Sequence, residues 1–458
     1  MKDFLKNIKQ GRLVVVGLGA SGLSAVRHLY ERGYELAVTD MNAAPKLAQK
    51  LPSDVATFFG GFDEAVLSSA AGIVISPGVD PMHPSVQAAK QAGVPIVSDV
   101  QLFVDECHDR GIEIIAITGS NAKSTVTTLV GQMAEDMGVA VGVGGNLGTP
   151  ALELLKSPMT LAVLELSSFQ LEGVTGLGAK VATLLNLSED HLDRHGDMAG
   201  YLQAKLPVFQ HAKHAVLLAD DASLLKACEA ELNKSANATL TKVTANPPKQ
   251  GEFGLLWQDG VPVLAWGDKP LLGSDRLAIK GVHNLVNALF ALAVGRAAGF
   301  DEAVMLKTLA DFKGLPHRCQ FVKKVGQSDY FNDSKGTNVG ASIAGIVGLG
   351  EVYGENSLVL ILGGQGKGQD FTPLADYISR YVGTVLTIGA DAEKITDDLN
   401  KAHAQADIIA CQTLENAVIK AASLNLPAVL LSPACASFDQ FSGYEARGER
   451  FCERVMAL

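Results

Sequence analysis

The sequence predicts an α/β protein with three Rossmann-like domains, of which the central one carries a phosphate-binding loop and a small antiparallel β insert. Its 458 residues exceed what one hydrophobic core usually supports, so several domains are expected. Short apolar runs typical of buried strands alternate with helical patterns, and most of these runs end in small or polar residues. We expect the domains to cover residues 1–101, 102–314 and 315–458, with a linker at Gly314-Leu315-Pro316.

The composition is that of a folded protein, with 47% hydrophobic and 19% charged residues. The 38 basic and 49 acidic residues give a formal charge of −11, which argues against a general nucleic-acid-binding surface but leaves room for small anionic ligands. The six cysteines form no Cys-x-x-Cys pair, and no secretory signal or run of about 18 apolar residues is present. We expect a cytoplasmic protein that binds neither nucleic acid nor membrane, and we take it to be a monomer.

The first domain opens with a strand and a glycine-rich turn. The sequence Gly17-Leu18-Gly19-Ala20-Ser21-Gly22 fits G-x-G-x-x-G, and Asp40 ends the next strand about 20 residues later. The glycines allow the backbone to approach a diphosphate, and Asp40 can accept a hydrogen bond from a ribose or base. A nicotinamide site is one interpretation, and a plain tight turn is another. The motif itself specifies only a diphosphate-bearing nucleotide. Ser76, Pro77 and Gly78 form a second small-residue turn after a strand.

The central domain opens with a strand followed by Gly119-Ser120-Asn121-Ala122-Lys123-Ser124-Thr125 and a helical pattern. Backbone N–H groups at such a helix start can face phosphate oxygens, while Lys123 neutralises charge and Ser124 offers a hydroxyl to Mg²⁺. The strict pattern G-x-x-x-x-G-K-[ST] has glycine where this chain has Ile117 and Ala122. An ordinary strand-to-helix turn with a solvated lysine is the alternative.

Further polar groups follow the other apolar runs of this domain. Asn146, Glu165 and His191 come after three successive strands, and the carboxyl ends of strands form the ligand-binding edge of an open α/β sheet. Glu165 is placed to bind Mg²⁺, although a helix-capping carboxylate is equally compatible with its spacing. A lone histidine such as His191 is more often structural than a metal ligand. Asn284 and Asn287 share one helix face and can read an adenine edge, or simply form a polar rim.

The third domain repeats the pattern of strands that end in small and basic residues. Its turns contain Asp333, Lys335, Thr337, Lys367 and Ser437. A single lysine at such a position is usually solvated, but two lysine-bearing loops with Arg318 in the linker favour an anion-facing rim.

Together these stretches resemble the Mur ligases, the ATP-dependent amide-forming enzymes of bacterial cell-wall synthesis. The resemblance spans nearly the whole chain, at residues 17–22, 119–125, 165–171, 190–195, 201–205, 283–287, 317–318, 332–338 and 432–441. The last stretch resembles the member that adds D-glutamate. Ala122 departs from the glycine of many relatives and is compatible if its φ is negative. Gly336 stands where alanine is frequent, which we take as neutral.

The resemblance implies that ATP drives amide formation between UDP-N-acetylmuramoyl-L-alanine and D-glutamate through an acyl phosphate, with release of ADP and phosphate, in peptidoglycan precursor synthesis. It implies two Mg²⁺ ions and a CO₂-derived carbamate on Lys205, which spacing alone would suggest to be a solvated helix residue. The implied catalytic residues are Lys123, Glu165, His191 and Lys205, and the metal ligands are Ser124, Glu165, His191 and carbamylated Lys205.

The resemblance also implies three binding regions. ATP is expected at Gly119, Ser120, Asn121, Ala122, Lys123, Ser124, Thr125, Asn284, Asn287, Arg318 and Asp333. The UDP-sugar is expected at Gly17, Leu18, Gly19, Ala20, Ser21, Gly22, Asp40, Ser76, Pro77, Gly78 and Asn146. D-Glutamate is expected at Lys335, Thr337, Lys367, Ser437, Phe438 and Tyr444.

Three alternatives stay open at the level of sequence. A folate polyglutamate ligase of the same superfamily is disfavoured by the diphosphate loop and by residues 432–441. A nicotinamide dehydrogenase with an appended nucleotide-binding module leaves Lys123, Glu165 and Lys205 without a role. A non-enzymatic nucleotide sensor does not need an amino-acid pocket.

Overall fold

The computed structural model describes residues 4–8, 10–235, 237–279 and 281–458, which form three sheets flanked by helices. We call the parts of the chain built on these sheets the first, central and third domains. Within the described residues, no helix has both the length and the apolar character needed to span a bilayer.

The first domain is a five-stranded parallel sheet in the order β3-β2-β1-β4-β5. Its elements are α1 (Phe4–Asn7), β1 (Leu13–Val16), α2 (Ala20–Tyr30), β2 (Leu36–Asp40), β3 (Ala56–Phe59), α3 (Glu64–Ser68), β4 (Gly72–Ile75), α4 (Pro84–Gln91) and β5 (Ile96–Ser98). The strand order reverses between β1 and β4, so a crevice opens where the turns after these two strands diverge. Helix α5 (Asp99–Arg110) leads into the central domain.

The central domain is a nine-stranded sheet in the order β14-β13-β12-β11-β10-β9-β6-β8-β7. Its elements are β6 (Glu113–Thr118), α6 (Lys123–Asp136), β7 (Val141–Gly145), α7 (Ala151–Leu154), β8 (Leu161–Glu165), α8 (Ser168–Glu172), β9 (Val181–Leu184), α9 (Leu192–His195), α10 (Met198–Lys205), β10 (His214–Leu218), α11 (Ala222–Leu232), β11 (Thr239–Val243), β12 (Glu252–Gln258), β13 (Val261–Trp266), β14 (Lys269–Gly273), α12 (Val282–Ala298) and α13 (Glu302–Asp311). The antiparallel insert expected from the sequence extends the sheet through β12, β13 and β14.

The third domain is a six-stranded sheet in the order β15-β16-β20-β17-β18-β19, parallel except for β15. Its elements are β15 (Gln320–Val325), β16 (Ser328–Asn332), α14 (Val339–Tyr353), β17 (Leu358–Gly363), α15 (Ala375–Tyr381), β18 (Val382–Ile388), α16 (Ala392–Lys401), β19 (Asp407–Gln412), α17 (Leu414–Ala422), β20 (Ala428–Leu431) and α18 (Tyr444–Met456). Because β20 lies between β16 and β17, the loops after these three strands meet at one edge of the sheet.

Apolar side chains on both faces of each sheet form the cores. Helices α6 and α12 cover one face of the central sheet and α13 packs against both of them, with Ile115, Ile117, Val163 and Phe290 almost inaccessible to water. The parallel strands are apolar on both faces because helices pack on each side, which leaves polar side chains mainly at the strand ends. The polar side chains that can bind ligands therefore lie mainly at the carboxyl edges of the sheets.

Candidate active site

The phosphate loop joins β6 to α6 and is anchored to the loop that follows β9. The backbone N–H of Asn121 donates to Oδ1 of Asn186 over 2.8 Å, and the Ser120 hydroxyl donates to the Ser188 carbonyl over 3.0 Å. The Lys123 ammonium donates to the carbonyls of Gly119 and Ser120, both over 2.9 Å, so it lies across its own loop. Neither Asn186 nor Ser188 belongs to a sequence motif, so the sequence assigned no role to either residue.

Ala122 differs from the sequence expectation. It precedes α6 with φ 65° and ψ −7°, in the left-handed region, whereas compatibility of alanine here was expected only for a negative φ. A methyl group in this region costs about 1–2 kcal/mol, because the Cβ approaches the following carbonyl oxygen. The loop therefore keeps the shape that glycine normally provides and carries local strain.

Glu165 ends β8, the strand beside β6, and its side chain is buried. Oε1 accepts a hydrogen bond of 2.7 Å from the Asn146 amide, and Oε2 is buried without a hydrogen-bond partner among the described residues. An unpaired buried carboxylate oxygen is costly unless a cation satisfies it. Glu165 therefore fits a divalent-cation ligand, and Asn146 orients it.

Lys205 ends α10 and is 1% exposed, contrary to what its spacing alone suggested. Its ammonium donates to the Gly119 carbonyl over 3.0 Å and lies 4.6 Å from the centroid of the Tyr201 ring. Burial, followed by the positive charge of Lys123, holds the pKa of Lys205 well below its ordinary value of 10.5. A neutral amine is the form that reacts with CO₂, so the surroundings of Lys205 fit a carbamate.

His191 precedes α9 in the left-handed region, with φ 56°. Its ring packs edge-on against Phe169, with centroids 4.8 Å apart, and Nε2 lies 3.7 Å from Oδ2 of Asp190. Burial lowers the pKa of His191, which favours the neutral imidazole that can bind a metal. In the described parts of the chain, no three His, Cys, Asp or Glu side chains cluster as a metal site, so a cation here needs other ligands as well.

A cavity of about 440 Å³ lies between the central and third domains. The predicted ATP residues that line it are Asn121, Ala122, Thr125, Asn284, Asn287, Arg318 and Asp333. Arg318 donates to the Ser124 hydroxyl over 2.7 Å and so links the two domains. Burial raises the pKa of Asp333 to about 6, and its carboxylate accepts hydrogen bonds from the Ser432 hydroxyl and the Cys319 N–H.

The remaining predicted ATP residues, Gly119, Ser120, Lys123 and Ser124, do not line this cavity. They lie at its phosphate-loop end, toward Glu165 and Lys205, because Lys123 and Lys205 both donate to the Gly119 carbonyl. His283, at the start of α12, also lines the cavity; it begins the stretch 283–287 that carries the resemblance, but the sequence assigned it no role.

A second cleft of about 620 Å³ lies between the first and central domains. Ten of the eleven residues predicted for the UDP-sugar line it: Gly17, Leu18, Gly19, Ala20, Ser21, Asp40, Ser76, Pro77, Gly78 and Asn146. Gly22 serves packing instead, because a Cβ there would lie 1.9 Å from the Gly17 carbonyl oxygen. Asp40 accepts a 2.6 Å hydrogen bond from the Leu18 N–H and so shapes the loop itself. Phe62 and His83 also line the cleft without a sequence signal.

The six residues predicted for D-glutamate lie on the three adjoining loops of the third sheet and at the start of α18. Lys335 lines the cavity between the domains, with its ammonium 3.7 Å from the centroid of the Tyr444 ring. Burial lowers the pKa of Lys335 to about 8. Ser437 is buried, whereas Lys367 is exposed and Phe438 is 66% exposed, so these side chains form no closed pocket.

Arg447 on α18 is a structural residue of this region that no sequence motif predicts. It is 1% exposed and donates to the Ser334 hydroxyl over 2.9 Å and to the carbonyls of Ser334 and Cys435 over 2.8 and 3.0 Å. Burial lowers its pKa to about 10. One guanidinium thereby holds the loops after β16 and β20 together.

Comparisons with known proteins agree with this arrangement. Profiles described as Mur ligase MurD-like N-terminal domain, Mur ligase middle domain and Mur ligase glutamate ligase domain match residues 11–98, 117–295 and 317–435. A protein of Psychrobacter cryohalolentis named UDP-N-acetylmuramoylalanine–D-glutamate ligase is 51% identical over 461 residues, which cover 98% of this chain and 96% of that one. One of the same name from Acinetobacter baylyi is 48% identical over 457 residues, covering 98% and 99%.

Solved structures agree on the fold. The UDP-N-acetylmuramate–alanine ligase of Thermotoga maritima has a TM-score of 0.61 at 18% identity, covering 98% of this chain and 100% of that one. The MurF ligase of the same organism, solved with ADP, has a TM-score of 0.58 at 16% identity, covering 99% and 96%. With the three matched domains and the full-length relatives, these comparisons establish that the chain belongs to the Mur ligase family of ATP-dependent ligases.

Proposed function

We propose that the chain joins D-glutamate to UDP-N-acetylmuramoyl-L-alanine in peptidoglycan precursor synthesis, with cleavage of ATP to ADP and phosphate. The names of relatives at 41–51% identity over nearly the full length support this assignment. The observation that carries it is the convergence of Lys123, Lys205 and Glu165 on one phosphate loop between two clefts.

Each substrate is assigned to a part of the chain. Residues 1–101 hold the UDP-sugar, with its diphosphate at the start of α2 and its alanine end reaching past Asn146 toward Glu165. Residues 102–314 hold the ATP phosphates, and residues 315–458 complete the ATP site and bind the amino acid. Asn146 lines the cleft between the first and central domains and is hydrogen-bonded to Glu165, which supports this path.

Two Mg²⁺ ions and a carbamate complete the proposed site. Ser124 and Glu165 would hold the first ion, and His191 with carbamylated Lys205 would hold the second. The carbamate would form when the neutral Lys205 amine attacks CO₂: an N–C bond forms, one C–O π bond opens, and one proton leaves to solvent, which yields a carboxylate-like ligand. The bound ions would neutralise phosphate charge and align the reacting oxygens.

The chemistry then has two steps. The alanine carboxylate attacks the γ-phosphorus of ATP, and the bond to the ADP oxygen breaks, leaving an acyl phosphate. Lys123 stabilises the charge on the transferring group. The neutral amine of D-glutamate attacks the acyl carbon, phosphate leaves, and the amine loses a proton to give the amide. Lys335, Thr337, Lys367, Ser437, Phe438 and Tyr444 hold the amino acid so that its amine faces this carbon. We also propose that the enzyme is a monomer and is cytoplasmic.

The test is phosphate release from ATP in the presence of UDP-N-acetylmuramoyl-L-alanine, with D-glutamate and L-glutamate compared. We expect release with the D-isomer, and a loss of about 10²–10³-fold in rate for Lys123→Ala and Glu165→Ala with an unchanged circular dichroism spectrum. Efficient use of L-glutamate, or near-parental turnover of either variant, contradicts the assignment. Exposed Lys226→Ala on α11 serves as the control for loss of a lysine.

A further inference from the structure

The loop at residues 363–369, which carries Lys367, has little intrinsic rigidity. Four of its seven residues are glycine, with φ 126° at Gly363, 132° at Gly364 and 78° at Gly368. Lys367 itself lies in the left-handed region at φ 51°. Glycine gives up more conformational freedom on ordering than any other residue. The loop therefore needs specific contacts to present Lys367 in one position.

The side chain of Gln369 supplies three such contacts from one amide group. Its Nε2 donates to the Gly366 carbonyl over 3.0 Å and to the Ala434 carbonyl over 3.2 Å. Its Oε1 accepts from the Val339 N–H over 3.3 Å. Both N–H donors of the amide are thus used. The three partners belong to the loop itself, to the loop after β20 and to the first turn of α14.

The position of Val339 connects this amide to the central domain. The preceding residue, Asn338, caps α14 and donates from Nδ2 to Oδ2 of Asp190 over 3.3 Å, beside His191. The Gln369 side chain therefore joins the loop that carries Lys367 to the start of α14. That helix start in turn contacts the central domain through the hydrogen bond from Asn338 to Asp190.

Other contacts keep the loop folded on its far side. The Gly366 N–H donates to the Asp391 carboxylate over 2.6 Å, and the Lys394 ammonium donates to the Gln369 carbonyl over 2.7 Å. The Gln365 backbone pairs with Ala436. These contacts do not use the Gln369 side-chain amide. Loss of that amide therefore loosens the side of the loop that faces Val339 and Ala434 without unfolding the domain.

We propose that Gln369 is a positioning residue for the amino-acid substrate, which fixes the Lys367 loop before the ligand arrives. This rests on the proposed function, in which Lys367 binds D-glutamate. With the amide in place the loop is already ordered, whereas without it D-glutamate must order the glycine-rich segment at the expense of its binding. Once the ligand is bound, the reacting groups recover their geometry.

The test compares Gln369→Met, which keeps the chain length but removes all three hydrogen bonds, with the parent protein. We expect the KM for D-glutamate to rise about tenfold, the loss that ~1.4 kcal/mol of hydrogen bonding produces, with kcat within about twofold. The KM values for ATP and the UDP-sugar stay near the parental ones. Gln369→Glu removes both donors and places a carboxylate against two carbonyls, so its KM rises at least as much. Gln365→Ala, an exposed glutamine of the same loop, is the matched control and leaves the KM unchanged.

The proposal is overturned by a KM for D-glutamate within twofold of the parent in Gln369→Met, by a parallel rise for all three substrates, or by an equal rise in Gln365→Ala. Hydrogen exchange gives a readout that does not need activity, and we expect faster exchange at residues 364–369 in Gln369→Met. If the parent protein releases no phosphate with D-glutamate, the proposed function fails. Unchanged exchange in that loop contradicts the role of Gln369 by itself.

Discussion

At the scale of single residues, the site depends on ionisable groups that are held away from water. Lys205 and Glu165 are 1% and 2% exposed, and each depends on neighbours from distant parts of the chain. The low pKa of Lys205 comes first from burial and then from Lys123, while Asp190 and Glu165 oppose it. A buried lysine that is readily neutral is suited to carbamate formation and poorly suited to a structural ion pair.

We predict that Lys205→Ala loses ligation and recovers part of it when formate or acetate is added. The small carboxylate can fill the space of the carbamate and restore an anionic oxygen beside the cations. The measurement is phosphate release over a range of carboxylate concentrations, with Lys226→Ala as a control that needs no rescue. Full activity of Lys205→Ala without added carboxylate argues that the residue carries no carbamate.

Ala122 allows a test of backbone strain. We predict that Ala122→Gly raises the free energy of unfolding by ~0.5–1 kcal/mol, because relief of the left-handed methyl outweighs the entropy that glycine adds to the unfolded chain. Ala227→Gly, inside α11, should instead lower it by about 1 kcal/mol. Thermal melting of both variants checks the sign. A lower melting temperature for Ala122→Gly means that the methyl makes favourable contacts that exceed its strain.

At the scale of elements, most of the candidate site residues lie at the carboxyl ends of adjacent parallel strands. The loops after β6, β8 and β9 meet around Gly119 and Glu165, and those after β16, β17 and β20 carry the residues predicted for the amino acid. Side chains from other elements hold these groups in place. Arg447 of α18 holds the loop after β20 in the third domain, and Asn146 holds the Glu165 carboxylate in the central domain.

The packing of α2 against α5 makes the first domain sensitive to acid. His28 of α2 is buried, its Nδ1 accepts from Arg32 over 3.1 Å, and its Nε2 has no hydrogen-bond partner in the described chain. Burial, then Arg32, Arg110 and Lys156, lower the pKa of His28 to about 4, against an opposing effect of Glu106. In the folded state His28 therefore stays mostly neutral down to a pH of about 4, whereas in the unfolded chain it is protonated below its ordinary pKa of 6.5.

We predict that this histidine contributes up to about 3 kcal/mol of stability at neutral pH, lost as the pH falls from 6.5 to 4, because the unfolded chain binds more protons in that window. His28→Gln keeps an acceptor for Arg32 and does not titrate. The measurement is denaturant unfolding of both proteins between pH 4 and 8. Above pH 7 His28 is neutral in both the folded and the unfolded chain. The difference in free energy of unfolding between parent and variant there measures only the effect of the substitution on packing. Equal slopes of stability against pH in parent and variant contradict the prediction.

At the scale of the whole molecule, the cavity between the central and third domains exists because the third domain rests on the central one. The contacts are the Arg318–Ser124 and Asn338–Asp190 hydrogen bonds and the close approach of α14 to His283. Because the residues predicted for ATP lie on both sides of this cavity, a change in the domain arrangement changes the proposed site.

We predict that Gly348→Ala separates the two domains. A Cβ at this position would lie 2.4 Å from Cε1 of His283, so either the ring or α14 has to shift, and we expect the helix to move because His283 is packed between the two domains. Small-angle scattering should show a larger radius of gyration, and the KM for ATP should rise. In the double variant His283→Ala/Gly348→Ala the radius should return toward the parental value, since the obstructing ring is gone. An unchanged profile for Gly348→Ala means that the ring moves instead of the domain.

The sequence by itself determined the fold class, the order of the elements, the two diphosphate-type loops and the family. These properties depend on local periodicity and on short motifs, which a single chain displays directly. Glu165, Asn284 and Asn287 could be identified as candidates because strand ends and helix faces are also local properties.

The tertiary structure alone decided what surrounds those residues. The left-handed φ of Ala122, the burial of Lys205 and the orphaned oxygen of Glu165 could not be read from spacing. Lys335, assigned to the amino acid by resemblance, lines the cavity between the central and third domains. Burial, charge and hydrogen-bond partners come from residues tens or hundreds of positions apart. The reactivity of each site residue is therefore set by the packing of the three domains.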